Sequence, residues 1–121
     1  ILALYGDESE LAPPATKERL QSAAEEIQAH PAGVSTIRDL ARRHHFSVSH
    51  FSREFGRVFG ETPQGFLIRA RADRATDLLV ESDLSLETIA GMLGYSDGAH
   101  FSKQFREVKG VPPGEFRRRG R

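Results

Sequence analysis

Arg53 and Lys103 stand fifty positions apart, at matching places in two segments that repeat one another: FSREFGRVFGETPQGF at 51–66 and FSKQFREVKGVPPGEF at 101–116. Phe, Ser, Phe, Val, Gly, Pro and Phe recur in register, so the chain carries two copies of one unit. With Phe51, Phe55 and Val58 turned inward, a helix advancing about 100° per residue points Ser49, Arg53, Gly56 and Arg57 outward, flanked by His50 and Ser52. In the second copy the outward set is Ala99, Lys103, Arg106 and Glu107, flanked by His100 and Ser102. A long cation in mid-face, with small residues toward the helix start, suits insertion into a major groove, where Arg reaches guanine O6 and N7. Ser47 and Ser96 are expected to cap these helices, whose N-termini then offer backbone donors to phosphate.

Two other constellations suggest different chemistry. Gly94-Tyr95-Ser96-Asp97-Gly98 fits the G-x-S-x-G pattern of a serine nucleophile, but that motif needs a strand before it, and the preceding segment has helical spacing. His44, His45 and His50 cluster without the i, i+4 spacing of helical zinc ligands, and there is no Cys. Neither catalysis nor a cofactor or metal is expected. The apolar runs fall short of the ~20 residues of a membrane span, and without Cys a cytoplasmic setting is the expectation.

The formal charge is zero, yet it divides unevenly. Six acids against two cations fill residues 1–30, whereas residues 31–60 hold five Arg against two acids, and Arg117, Arg118, Arg119 and Arg121 crowd the end. Patches rather than net charge govern binding to a polyanion. The terminal Arg run reads equally as a phosphate contact or as a solvated tail.

The elements that must position these residues are all helices. Residues 1–15, closing on Ala12-Pro13-Pro14-Ala15, read as a linker or the remnant of an upstream domain that adds nothing to the core. Leu20, Ala23, Ala24 and Ile27 form a helical stripe from a cap at Thr16, ended by Pro31 and Gly33. Thr36 caps a short helix with Ile37, Leu40 and Ala41 inward; Phe46 closes a turn, and the helix of Arg53 runs to a stop at Gly60. The same plan repeats from Ser85, with Ile89, Ala90 and Leu93 inward, Gly94 and Tyr95 in the turn, and Val108 and Gly110 at the end. His45 stands where Gly94 stands, a place that favours the left-handed region, so strain is expected there. Between the copies Thr62-Pro63 opens a helix to about residue 82, with Phe66, Leu67, Ala70, Ala75, Leu78 and Leu79 inward, a rod of roughly 28 Å at ~1.5 Å per residue. A last helix, 113–118, turns Phe116 inward.

Two helix-turn-helix units, 36–60 and 85–110, on such a rod match successive major grooves, which recur every ~34 Å. From residue 16 to 119 the chain resembles the DNA-binding domain of the AraC/XylS family of bacterial transcription regulators. IRDLARRHHFSVSHFSREFGRVFGETP and LETIAGMLGYSDGAHFSKQFREVKGVPPGEFR carry the resemblance. It implies an all-α, homeodomain-like fold of seven helices. It also implies base-reading positions at Ser49, Ser52 and Arg53, and at Gly98, Ala99, Ser102 and Lys103. Gly98 and Ala99 carry no side-chain hydrogen-bonding groups, so the first unit is expected to hold more of the specificity. The implied partners are promoter or operator double-stranded DNA and RNA polymerase, with an effector or dimerisation domain in an N-terminal part. The alternative is a helical module that binds protein, RNA polymerase for instance, with weak DNA affinity.

Overall fold

Side-chain hydroxyls start four of the helices. Thr36, Ser47, Thr62 and Ser85 each accept a hydrogen bond from the backbone N–H three residues on, at 3.0, 3.3, 3.0 and 3.1 Å. Such caps each contribute about 1 kcal/mol. The computed structural model describes residues 14–120, in which the elements are α1 (Pro14–Ala29), a 3-10 turn (Pro31–Gly33), α2 (Ile37–Arg43), α3 (Val48–Phe59), α4 (Pro63–Glu81), α5 (Leu86–Met92), α6 (Gly98–Lys109) and α7 (Pro113–Gly120). No strand occurs among the described residues. Of the linker expected at 1–15, residues 1–13 lie outside them, and Pro14 and Ala15 belong to α1. Thr16 is no cap: α1 already runs through Pro14 and Ala15, because proline is tolerated in a first helical turn, and Thr16 is buried.

Two apolar clusters form. Leu20, Ala23, Ala24 and Ile27 of α1 pack with Leu40, Ala41, Phe46, Phe51 and Phe55, and Leu67 of α4 completes this set. Ala72, Ala75 and Leu79, farther along α4, join Ile89, Ala90, Leu93, Tyr95, Phe101 and Phe105. One helix thus gives its first half to one unit and its second half to the other. Aromatic rings run through the first cluster, Phe46 to Phe51 at 5.5 Å, Phe51 to Phe55 at 5.4 Å and Phe55 to Phe59 at 4.5 Å between centroids. Val58 departs from expectation. It is 40 % exposed, because the seam of α3 advances by four residues from Phe51 through Phe55 to Phe59, which also meets Phe66. In α6 the position of Phe59 is Lys109, and Val108 packs inward instead.

The turns differ in strain. His45 has φ of 66° and Gly94 has φ of 89°, so one unit holds a side chain in the left-handed region and the other does not. Arg19 of α1 braces the first turn: its guanidinium lies 4.2 Å from the Phe46 ring centre and its Nη1 donates to the His45 carbonyl at 2.7 Å. Arg43 and His44 hold Glu26 of α1. Burial pushes the Glu26 carboxyl up, but hydrogen bonds from His44 and Arg43, with their charges, outweigh it and hold it below its ordinary value. At the far end Arg117 donates to the carbonyls of Leu79 at 3.0 Å and Ser82 at 3.3 Å, and Arg119 pairs with Glu115. Part of the terminal Arg run therefore closes the C-terminus of α4, where a cation favours the helix dipole, rather than trailing in solvent.

Candidate nucleic-acid interface

The outer faces of α3 and α6 carry the cations the sequence places there. Ser49, Arg53 and Arg57 are exposed on α3, and Ala99, Lys103 and Arg106 on α6, with Ser52 and Ser102 half-buried beside them. Arg53 is 65 % exposed at its side chain. His50 and His100 serve the scaffold as well, each ring edge-on to the turn aromatic before it: Phe46 at 5.4 Å and Tyr95 at 5.2 Å. Next to Lys103 the surface dips into a shallow hollow lined by Ser102, Lys103, Arg106, Glu107 and Pro112.

Beneath the cations the two helices differ. Glu54, buried to 10 % side-chain exposure, accepts from Arg57 Nη1 at 3.3 Å, and the same oxygen lies 3.8 Å from Arg53 Nε. One buried carboxylate therefore orients Arg57 by a hydrogen bond and acts on Arg53 by charge attraction alone. In the sequence the i, i+3 spacing to Arg57 is the one signal of this pair, and it does not mark Glu54 as part of the site. Its counterpart is Gln104, which accepts from the Tyr95 hydroxyl at 2.6 Å. Burial pushes the Tyr95 hydroxyl above its ordinary value, against the lowering effect of Arg71, so it stays protonated and can donate. Lys103 and Arg106 have no ion-pair partner among the described residues.

The helix starts differ more sharply. Ser47 caps α3 as expected, keeping its own hydroxyl proton available for donation. Ser96 does not cap α6. Asp97 does, accepting from the His100 N–H at 2.8 Å, and Ser96 sits exposed in the turn. The extra residue of the second copy falls before the cap rather than after it, so the fifty-residue register already pairs Ser47 with Asp97. Gly98 is likewise not on the outward face. It is buried, its N–H donates to Glu87 at 3.2 Å, and a methyl group there would stand 2.4 Å from the Glu87 carboxylate. Two carboxylates thus occupy the N-terminus of α6, which weakens the phosphate site expected there. The G-x-S-x-G geometry also fails, since α5 and not a strand precedes Ser96.

Residues 40–119 match the family model described as a helix-turn-helix domain. An uncharacterized HTH-type transcriptional regulator of Bacillus subtilis, YisR, is 34 % identical over 87 % of this chain and 37 % of its own length. The chain spans less than half the length of the curated relatives it matches. Among solved structures, the DNA-binding domain of the global transcriptional factor AdpA, in complex with a target DNA, superposes with a TM-score of 0.76 at 28 % identity, covering 81 % of this chain and 88 % of that one. A Chromobacterium violaceum transcriptional regulator, described as an AraC-type DNA-binding domain-containing protein, has a TM-score of 0.76 at 25 % identity over 89 % of this chain and 96 % of that one. The sequence match and the shared fold agree that the chain belongs to the AraC/XylS family of helix-turn-helix transcription regulators.

Proposed function

We propose that the chain binds double-stranded DNA in a sequence-specific manner and regulates bacterial transcription by laying α3 and α6 in two successive major grooves. The observation that carries this reading is the pair of equivalent outward cations, Arg53 and Lys103, on exposed faces of two capped helices. Arg53 takes a guanine edge, with Ser49 and Ser52 allowing close approach and Arg57 placed for the backbone. Lys103 serves α6, with Ala99 in apolar contact and Ser102, His100 and Arg106 alongside. Ser47, at the start of α3, donates to phosphate. On this reading the protein works in the cytoplasm at the nucleoid. RNA polymerase is the partner at the promoter, and in the longer protein a sensing or dimerisation domain precedes the segment described. No helix among the described residues is long and apolar enough to cross a membrane.

Sites selected from random duplexes, followed by titration at several salt concentrations, test the reading. The selected sites should hold two unlike half-sites in direct orientation about one helical turn apart, and log K should fall with log[salt] by about 0.9 per phosphate neutralised. A flat salt dependence with no enriched sequence would favour a module that binds protein alone.

A further inference from the structure

Two helices can read one site only if their mutual placement is held; α4 packs into both cores, and a direct link between the two units resists bending and twisting along it. One buried cation spans the joint between them. Arg71, in the middle of α4, is 8 % exposed, and no carboxylate lies within ion-pair distance of it among the described residues. Its Nη2 donates to the carbonyl of Val34 at 3.1 Å; Val34, fully buried, ends the 3-10 turn that precedes the first unit. The same guanidinium lies 5.1 Å from the ring centre of Tyr95, in the turn of the second unit. The neighbouring Gly94 comes so close that a methyl group on it would be 3.3 Å from Arg71 Nη2 and 3.5 Å from the carbonyl of Ala32. Tyr95 in turn donates to Gln104, on α6 itself.

Arg19 performs the equivalent service in the first unit, stacking on Phe46 and bonding to His45, but both of its partners lie within that unit. Arg71 has one partner on each side of the joint.

We propose that Arg71, acting through Tyr95, is the positioning residue that locks α3 and α6 in one relative placement and thereby sets the half-site spacing the protein accepts. This rests on the two-groove reading above, but the placement itself can be measured without DNA. The chain has no Cys, so Gln21→Cys on α1 and Arg118→Cys on α7, exposed positions on helices that pack with the first and second unit respectively, accept spin labels cleanly for a distance measurement by double electron–electron resonance. The parent should give one narrow distance distribution. Arg71→Met, which keeps the volume but loses the donors and the charge, should broaden or shift it, and Tyr95→Phe, which keeps the ring, should do so to a smaller degree. On duplexes whose half-sites are moved apart or together by one or two base pairs, the parent should prefer one spacing by at least about tenfold, and Arg71→Met should flatten that preference. A narrow, unshifted distribution in Arg71→Met overturns the proposal. So does a broadened one with the spacing preference intact. If Arg71→Met does not fold, Arg71→Lys and Tyr95→Phe decide, and unchanged distributions in both overturn it. Failure of the parent to bind any duplex would refute the two-groove reading alone, leaving the distance measurement to decide the lock.

Discussion

The first and second helix-turn-helix units share a scaffold and differ in the charges set on it. Both have a capped outer helix, an i, i+4 pair of buried phenylalanines, a glycine stop in the left-handed region, and an arginine over the turn aromatic. Yet α3 starts at a neutral serine and has a buried glutamate beneath its two arginines, whereas α6 starts between Asp97 and Glu87 and has a glutamine tied to a tyrosine. The position of Glu87 in α5 is Arg38 in α2. Packing limits the core positions to residues of the right size, while the surface and the helix starts carry no such restriction, so the units diverge where a ligand would meet them.

If the scaffold is truly equal, equivalent truncations should cost alike. Phe51→Ala and Phe101→Ala, each removing a ring with almost no exposure, should each destabilise by about 3–5 kcal/mol in urea unfolding. A loss in one of them below about 1 kcal/mol would break the equivalence of the cores.

The surfaces should then separate. Arg53→Ala should lose about 1–3 kcal/mol of discrimination at one base pair, since a guanidinium reads two acceptors of a guanine at once. Lys103→Ala removes a compact point charge that reads a guanine with less directional demand, so its loss of discrimination should be the smaller, on the order of 1 kcal/mol, with the rest of the weakening shared by all sequences. Equal losses for Arg53→Ala on cognate and scrambled duplexes would reduce Arg53 to a phosphate contact and remove the asymmetry between the readers.

At the helix starts the contrast is electrostatic and smaller. Glu87→Gln keeps an acceptor for the Gly98 N–H and removes one charge from the N-terminus of α6, so DNA binding should tighten by about 0.3–1 kcal/mol at low salt while stability falls by a similar amount. Arg38→Glu, which gives the first unit the charge of the second, should weaken binding. If titrations find Glu87→Gln neutral or weaker in binding, the two carboxylates do not keep phosphate from α6.

The sequence makes the frame of both units legible because its signals are local. Ser and Thr before a helix and Gly after it act within one turn of chain, and the caps at Thr36, Ser47, Thr62 and Ser85 fall where residue type places them. The outward cations follow from helical phase alone. Residues that act across the fold are the ones missed. Arg71 sits among alanines in α4 and has the look of a solvated charge until Val34 and Tyr95, far away in sequence, close over it. Glu87 gives no sign that it will cover Gly98, which is eleven residues on. Ser96 misleads because a serine caps as well as an aspartate does, so residue type alone does not say which side of the cap the extra residue falls on. Val58 differs from Phe59 by only one step of helical phase, and the larger ring takes the core.

The smallest contrast lies in the turns. His45 holds φ of 66°, where a side chain crowds the backbone, and Gly94 holds φ of 89° without that penalty. The His45 side chain is exposed, and it is its carbonyl, not its ring, that Arg19 engages, so His45→Gly keeps the hydrogen bond. Relief of left-handed strain is worth about 1–2 kcal/mol, and the added freedom of glycine in the unfolded chain takes back about 0.5–1 kcal/mol. The first unit should therefore gain a net of about 0–1.5 kcal/mol, with a middle value of about 0.7 kcal/mol, in urea unfolding. Gly94→Ala should move the other way, since it adds the same strain and places a methyl against Arg71 and Ala32. A destabilised His45→Gly would mean that the histidine ring holds the first turn by contacts beyond its backbone, and the two turns would then differ in more than strain.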